Sequence, residues 1–231
     1  MASTIVLITG KHKNSSRSLE KAKAAMSEIE ATGIKGTLST VQLDVTDEKS
    51  IEEAAAHIQQ QFGRLDVLVN NAGVGSMGIS DIKARFQQCM ETNVIGPAVV
   101  AAAFRPLLLK SKNPYSVYVS SGERTLLRNA IQKPPHHTPI QNGDAYQVSK
   151  AALNMLAVLE ARDYGSEGLK VFALSPGFVV SNLRGPSDEA RTGWGKAGDP
   201  EVSGQVVLSI VRGERDADVG CLVYKDGVHP W

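Results

Sequence analysis

Tyr146 and Lys150 stand four residues apart in a stretch with helical spacing, so their side chains share one face one turn from each other. A phenol, with a reference pKa of ~10, is a poor acid or base at neutral pH. An ammonium beside it favours the phenolate and lowers that value. The pair can then pass a proton to or from a carbonyl or alcohol oxygen while a hydride moves at carbon. A serine hydroxyl at the same oxygen would hold it and stabilise its developing charge. A Tyr-x-x-x-Lys spacing is common on amphipathic helices, where it is an exposed tyrosine beside a solvated lysine. Its weight here comes from its company: Asn70-Asn71-Ala72-Gly73, Asn93, Ser120-Ser121 and Pro176-Gly177 occur in that order along the chain.

These residues need elements to position them, and strand and helix patterns alternate, which predicts an α/β domain with a mainly parallel sheet. Apolar runs end in glycine or polar residues at 4–10, 38–45, 65–73, 116–121, 170–175 and 221–224, and each reads as a strand. Helical spacing predicts helices over 19–32, from Thr46-Asp47 to Gly63, in two pieces over 81–110, over 146–164, and after Asp199-Pro200. Residues 123–144 carry Pro134-Pro135, His136-His137 and Asn142-Gly143 and read as a surface loop. Residues 181–198 are polar and glycine-rich and read as a lid. The polar residues follow strand ends, and in an open α/β sheet the ligand sits outside the carboxyl ends of the strands. The expectation is a single domain over 1–231.

Composition excludes several function classes. The 25 basic and 24 acidic residues give a net charge of +1, with no electrostatic case for nucleic acid or an anionic membrane. Aromatic residues make up 5%, which argues against a base-stacking surface. Cys89 and Cys221 are too few for a disulfide framework, and no apolar run approaches the ~20 residues that span a bilayer. A cytoplasmic location is the default expectation. His136-His137 has no evident third ligand, so no metal is expected.

The ordered set, with Thr9-Gly10, Asp44-Val45, Tyr146-Gln147-Val148-Ser149-Lys150, Val179 and Ser181, resembles the short-chain dehydrogenase/reductase family over nearly the whole chain, closest in look to fungal and plant carbonyl reductases. The resemblance implies a Rossmann-type, doubly wound sheet and an NADP(H)-dependent oxidoreductase acting on a carbonyl or alcohol of a small molecule. It assigns Tyr146 as the acid/base, and Lys150 as the residue that lowers its pKa and holds the nicotinamide ribose. Ser121 would polarise the substrate carbonyl, and Asn93 would complete a proton relay through water. For the cofactor it assigns Asp44 to the adenine, Asn70 to the adenine ribose and the central sheet, and Val179 and Ser181 to the nicotinamide carboxamide. Arg17 resembles the arginine that selects NADP, since guanidinium suits phosphate. Family members also pair helices into homodimers, so self-association is expected by analogy.

The resemblance breaks after the first strand. The family follows it with Thr-Gly-x-x-x-Gly-x-Gly opening a helix, whereas Thr9-Gly10 runs into Lys11-His12-Lys13-Asn14-Ser15-Ser16-Arg17, with no glycine between Gly10 and Gly33. One β-α unit is missing, which leaves the sheet one strand short of the usual seven. Glycines and a helix N-terminus supply N–H donors to a pyrophosphate, and losing two or three such contacts costs ~4–6 kcal/mol, roughly a thousand-fold in affinity. Two alternatives to the reductase therefore stand: a cofactor-free derivative doing proton-transfer chemistry as an isomerase, cyclase or dehydratase, and an inactive truncated ligand-binding form.

Overall fold

The computed structural model describes residues 3–10, 26–122, 126–131 and 142–231. Six strands form one sheet in sequence order: β1 (Val6–Ile8), β2 (Val67–Asn70), β3 (Tyr115–Val119), β4 (Lys170–Leu174), β5 (Leu222–Tyr224) and β6 (Gly227–His229). The first five are parallel, and β6 pairs antiparallel with β5. Residues 26–30, the described part of the helix predicted over 19–32, are helical and form α1. The other helices that matter to the site are α2 (Glu48–Phe62), α3 (Ile82–Met90), α4 (Gly96–Leu108), α5 (Leu126–Ile131), α6 (Asp144–Tyr164), α7 (Asp188–Arg191) and α8 (Glu201–Val211).

Local chemistry sets the ends of α2. The Asp47 carboxylate accepts from the Lys49 and Ser50 N–H groups, and Gly63 closes the helix in the left-handed region at φ 72°. Its Ile51, Ala54 and Ile58 are buried with α4 and α6 against one face of the sheet. The opposite face packs Val67, Val69, Val117, Phe172 and Leu174 under Val206 and Ile210 of α8. Helices therefore lie on both faces, as a doubly wound sheet requires.

The strand count of six agrees with the expectation, but the membership differs. Residues 38–45, predicted as the second strand, form no strand. Leu43 and Val45 are buried in the core, while the Asp44 N–H donates to Ser50 Oγ rather than to a neighbouring strand. Side-chain burial holds the segment without backbone pairing, and apolar alternation alone does not distinguish these cases. The sixth strand is instead β6, joined to β5 by the tight turn at Lys225-Asp226. The Asp226-Gly227 pair is a hairpin signal that the sequence carries. Strand β1 is consequently the sheet edge, with Val6 and Ile8 44% and 60% exposed and Leu7 buried between them. Also unlike the reading of 123–144 as loop throughout, residues 126–131 are helical.

Helix α4 starts where Gly96 packs against the end of the 38–45 segment. A Cβ on Gly96 would lie 2.6 Å from the Val45 carbonyl oxygen and 3.2 Å from that of Glu91. Both are backbone atoms and cannot rotate away. Gly96→Ala is expected to lower stability by about 1–3 kcal/mol, read as a lowered denaturation midpoint. A midpoint equal to wild type would show that α4 is free to shift.

Candidate active site

Parallel pairing places the ends of β1, β2, β3 and β4 along one edge, and Thr9 ties the first two together. Its hydroxyl accepts from the Asn71 and Ala72 N–H groups at 3.1 and 3.2 Å, and its carbonyl accepts from Asn71 Nδ2 at 3.0 Å. The turn Asn70-Asn71-Ala72-Gly73 is thereby fixed. Asn70, at the end of β2, is buried, and both polar atoms of its side chain lack a hydrogen-bond partner among the described residues. Such a group costs stability until something pairs with it.

Asn93 stands in a π-helical turn, Glu91–Ile95, between α3 and α4. Pro97 has no N–H to offer the Asn93 carbonyl four residues earlier, so the regular helical ladder cannot run through this point. The fully buried Asn93 amide accepts from the Val74 N–H at 2.8 Å and donates to the Val74 carbonyl and Ser149 Oγ, both at 2.9 Å. Its side chain is committed to holding the turn after Gly73 and the helix that bears Tyr146.

Helix α6 presents Tyr146 and Lys150 within its first two turns. Arg85 of α3, itself buried, makes paired bonds of 2.9 and 3.0 Å to the Asp144 carboxylate. These bonds hold that carboxyl below its usual range. Deeper along the helix, the single Ser120 hydroxyl proton is directed to Asn154 Oδ1 at 2.5 Å, with the Lys150 carbonyl as a weaker second acceptor at 3.2 Å. Ser120 is thus buried and structural, whereas Ser121 is half-buried and makes no hydrogen bond among the described residues. Of the two serines, Ser121 is the one left for a ligand.

Lys150 is buried, and its Nζ donates to the Val119 carbonyl at 2.7 Å and lies 5.7 Å from the centre of the Tyr146 ring. A Cβ added to Gly73 would lie 3.6 Å from this Nζ and 3.4 Å from Asn93 Oδ1, so Gly73, Asn93, Tyr146 and Lys150 form one cluster. Burial pushes the ammonium down from 10.5 to about 8.

Val179 and Ser181 follow β4, and Ser181 begins the 181–198 segment. It is more ordered than the lid expectation, containing a 3-10 turn, Asn182–Arg184, and the short helix α7. The Leu183 carbonyl would come within 2.6 Å of a Cβ on Gly75, so the segment lies against the turn that Asn93 holds. Arg184 was not singled out from the sequence. Its guanidinium donates to the carbonyls of Val179, Ala190 and Arg191 and stacks 4.4 Å over the Phe178 ring.

Asp44 lies in the segment before α2, where its carboxylate accepts from the Thr46 N–H and hydroxyl at 3.1 and 2.8 Å. Arg17 lies outside the described residues, as do His136 and His137. Among the described residues, no group of three or more His, Cys, Asp or Glu side chains is placed to hold a metal ion, and no helix is long and apolar enough to cross a membrane.

Comparison with known proteins agrees with the fold. A family described as short chain dehydrogenase matches residues 7–192. The short-chain dehydrogenase/reductase tropE of Talaromyces stipitatus is 36% identical over 202 residues, covering 83% of this chain and 75% of that protein. The short-chain dehydrogenase/reductase eupG of a Phoma species is 31% identical over 236 residues, covering 92% and 84%. Among solved structures, an NADPH-bound carbonyl reductase from chicken fatty liver superposes with a TM-score of 0.74 at 24% identity, covering 99% of this chain and 88% of that one. A metagenomic short-chain oxidoreductase in complex with NADP gives 0.63 at 25% identity, covering 90% and 79%. The chain belongs to the short-chain dehydrogenase/reductase family of enzymes.

The Lys150 environment has a measurable consequence. Its folded value lies below the unfolded one, so between about 8 and 10.5 the unfolded chain binds a proton that the folded chain has released. Stability from this group therefore rises with pH across that window, by up to about 1.4 kcal/mol per unit. Denaturant titrations of wild type and Lys150→Met at pH 7.5 and 10 are expected to show this rise in the wild type alone. Equal slopes would mean that the ammonium is not desolvated.

Proposed function

We propose that this chain is an NADP(H)-dependent oxidoreductase that interconverts a carbonyl and an alcohol on a small molecule, with Tyr146 as the acid/base. The observation that carries the reading is the buried Lys150 ammonium beside the Tyr146 ring, held there by the Val119 carbonyl. An ammonium in that place favours the phenolate. In the reducing direction the Tyr146 hydroxyl gives its proton to the substrate oxygen, and in the oxidising direction the phenolate takes it back. Ser121 holds the same oxygen, and Asn93 keeps Gly73, Val74 and α6 in register so that Tyr146 meets it.

Residues of this chain fit a nicotinamide nucleotide at several points. The unpartnered Asn70 amide is able to satisfy a ribose hydroxyl. The absence of a Cβ on Gly73 keeps space open beside Lys150. The Val179 carbonyl has two lone pairs, and Arg184 uses one, leaving the other for a carboxamide N–H. Lys150 would reach the ribose, Asp44 the adenine, Ser181 the carboxamide, and Arg17 the 2′-phosphate. The cofactor, when bound, supplies the hydride. NADP(H) bound in two structural neighbours supports this choice. Exposed Ile82 and Ile95 near α3 and exposed Val148 and Met155 on α6 support a homodimer through those helices.

One observation favours the second reading, proton transfer without a cofactor: no glycine occurs between Gly10 and Gly33 to let the backbone approach a pyrophosphate. Calorimetric titration separates the two. The oxidoreductase reading expects saturable NADPH binding, tighter than NADH, and loss of turnover by at least about a hundredfold in Tyr146→Phe. No saturable binding at millimolar NADPH would sink it in favour of the second reading.

A further inference from the structure

Tyr146 occupies the part of a helix that is hardest to hold still. The first turn of a helix lacks part of its hydrogen-bond ladder and opens most readily. In α6 the ladder begins with the bond from the Gln147 N–H to the Gly143 carbonyl, so Tyr146 lies within that turn. A side chain at the capping position is the usual remedy, but that position is Gly143, which has none. The first residue of the helix partly replaces it: Asp144 Oδ1 accepts from the Ala145 N–H at 2.9 Å.

What fixes Asp144 comes from α3. Arg85 Nε and Nη2 donate to the two oxygens of the Asp144 carboxylate at 2.9 and 3.0 Å. Arg85 Nη1 donates to the carbonyls of Ile79 and Ser80 at 3.0 and 3.2 Å. The base of the side chain is held as well, because the Arg85 N–H donates to the carbonyl of Asp81, whose carboxylate caps α3 through the Ala84 N–H. Two parallel bonds to one carboxylate set orientation as well as distance, whereas a single bond would leave the helix end free to swivel. One guanidinium thus ties the first turn of α6 to α3 and to the stretch that precedes it. The Arg85 side chain is 6% exposed and that of Asp144 48%, so loss of Asp144 alone leaves a buried cation without its carboxylate.

We propose that Arg85 is a positioning residue for the reaction: through Asp144 it holds the first turn of α6 so that the Tyr146 phenol stays beside Lys150. This rests on the reading of Tyr146 and Lys150 as the acid/base pair and adds what keeps the phenol in place. Position and charge make opposite forecasts for Asp144, which stands two residues before Tyr146. If the geometry were unchanged, removing its negative charge would favour the phenolate. If the first turn loosens instead, the phenol leaves the ammonium and the phenolate is disfavoured.

The test needs neither cofactor nor turnover, so its outcome is separate from the NADPH and Tyr146→Phe experiments. Phenolate absorbance of the full chain is followed from about pH 7 to 11, with circular dichroism reporting the fold. Each protein is measured against its own Tyr146→Phe counterpart, so that the difference is the ionisation of Tyr146. Arg85→Gln, Asp144→Asn and the double variant are all expected to raise the midpoint by about 0.5 pH or more, a phenol at least about threefold less acidic. Asp144→Glu, which keeps a carboxylate for the guanidinium, is expected to stay closer to wild type. The double variant has the wild-type net charge and leaves no buried cation unpaired, so it decides the matter if Asp144→Asn does not fold. A lowered midpoint in Asp144→Asn, or an unchanged one in the double variant, overturns the proposal. A wild-type midpoint at the ordinary phenol value of ~10 overturns the Tyr146–Lys150 reading itself, and this proposal with it, before any Arg85 or Asp144 variant is made.

Discussion

Everything at the active edge depends on how α6 is fixed against β3, and that contact is polar where helix-on-sheet packing is usually apolar. Going down the helix, Lys150 Nζ donates to the Val119 carbonyl, Ser120 reaches Asn154 and the Lys150 carbonyl, and Ser116 and Tyr118 donate to the Glu160 carboxylate at 2.8 Å each. Arg105 of α4 completes the last group with bonds to Glu160 and Tyr164. Burial and the Glu160 carboxylate keep the Tyr118 phenol well above its ordinary value, so it remains a donor. Apolar packing tolerates sliding and rotation, whereas a row of directional bonds fixes both. That precision is what two side chains one turn apart need if they are to meet one substrate oxygen.

A second constraint comes from the break in the neighbouring helix. The π-helical turn at Glu91–Ile95 places Asn93 so that one amide grips both polar groups of Val74 and also the Ser149 hydroxyl. Ser149 in turn donates to the Tyr146 carbonyl at 2.8 Å. The turn after β2 and the start of α6 are therefore set by the same side chain, and a shift in either is transmitted to Tyr146. The 181–198 segment joins this assembly through the close approach of Leu183 to Gly75 and through the bond from Arg184 to the Val179 carbonyl.

Much of this was legible in the sequence, because it rests on local rules. Strand-then-helix alternation defined the α/β class, Asp47 and Gly63 marked the ends of α2, and the order of Asn70, Asn93, Ser121, Tyr146 and Lys150 defined the family. The errors fall where partners are distant. Residues 38–45 have a strand's pattern, but a strand requires a neighbour, and this segment buries Leu43 and Val45 without one. The hairpin to β6 has a signal in Asp226-Gly227, but the run after it is only three residues long and does not stand out as a strand by its pattern.

The sequence by itself determined which chemistry is present: a phenol and an ammonium one turn apart, a serine pair, and a glycine-poor stretch after the first strand. It also determined that their order matches one enzyme family, since order and spacing are properties of the chain alone. Only the tertiary structure decided what each group is free to do. It showed that Ser120 is consumed by Asn154, that the Asn93 side chain is a clamp, that Lys150 is stripped of water, and that Arg184 is spent on the backbone carbonyls of Val179, Ala190 and Arg191. The physical reason is that hydrogen-bond satisfaction and desolvation depend on residues tens of positions away, brought near by the sheet, and no local pattern encodes which of them will be within 3 Å.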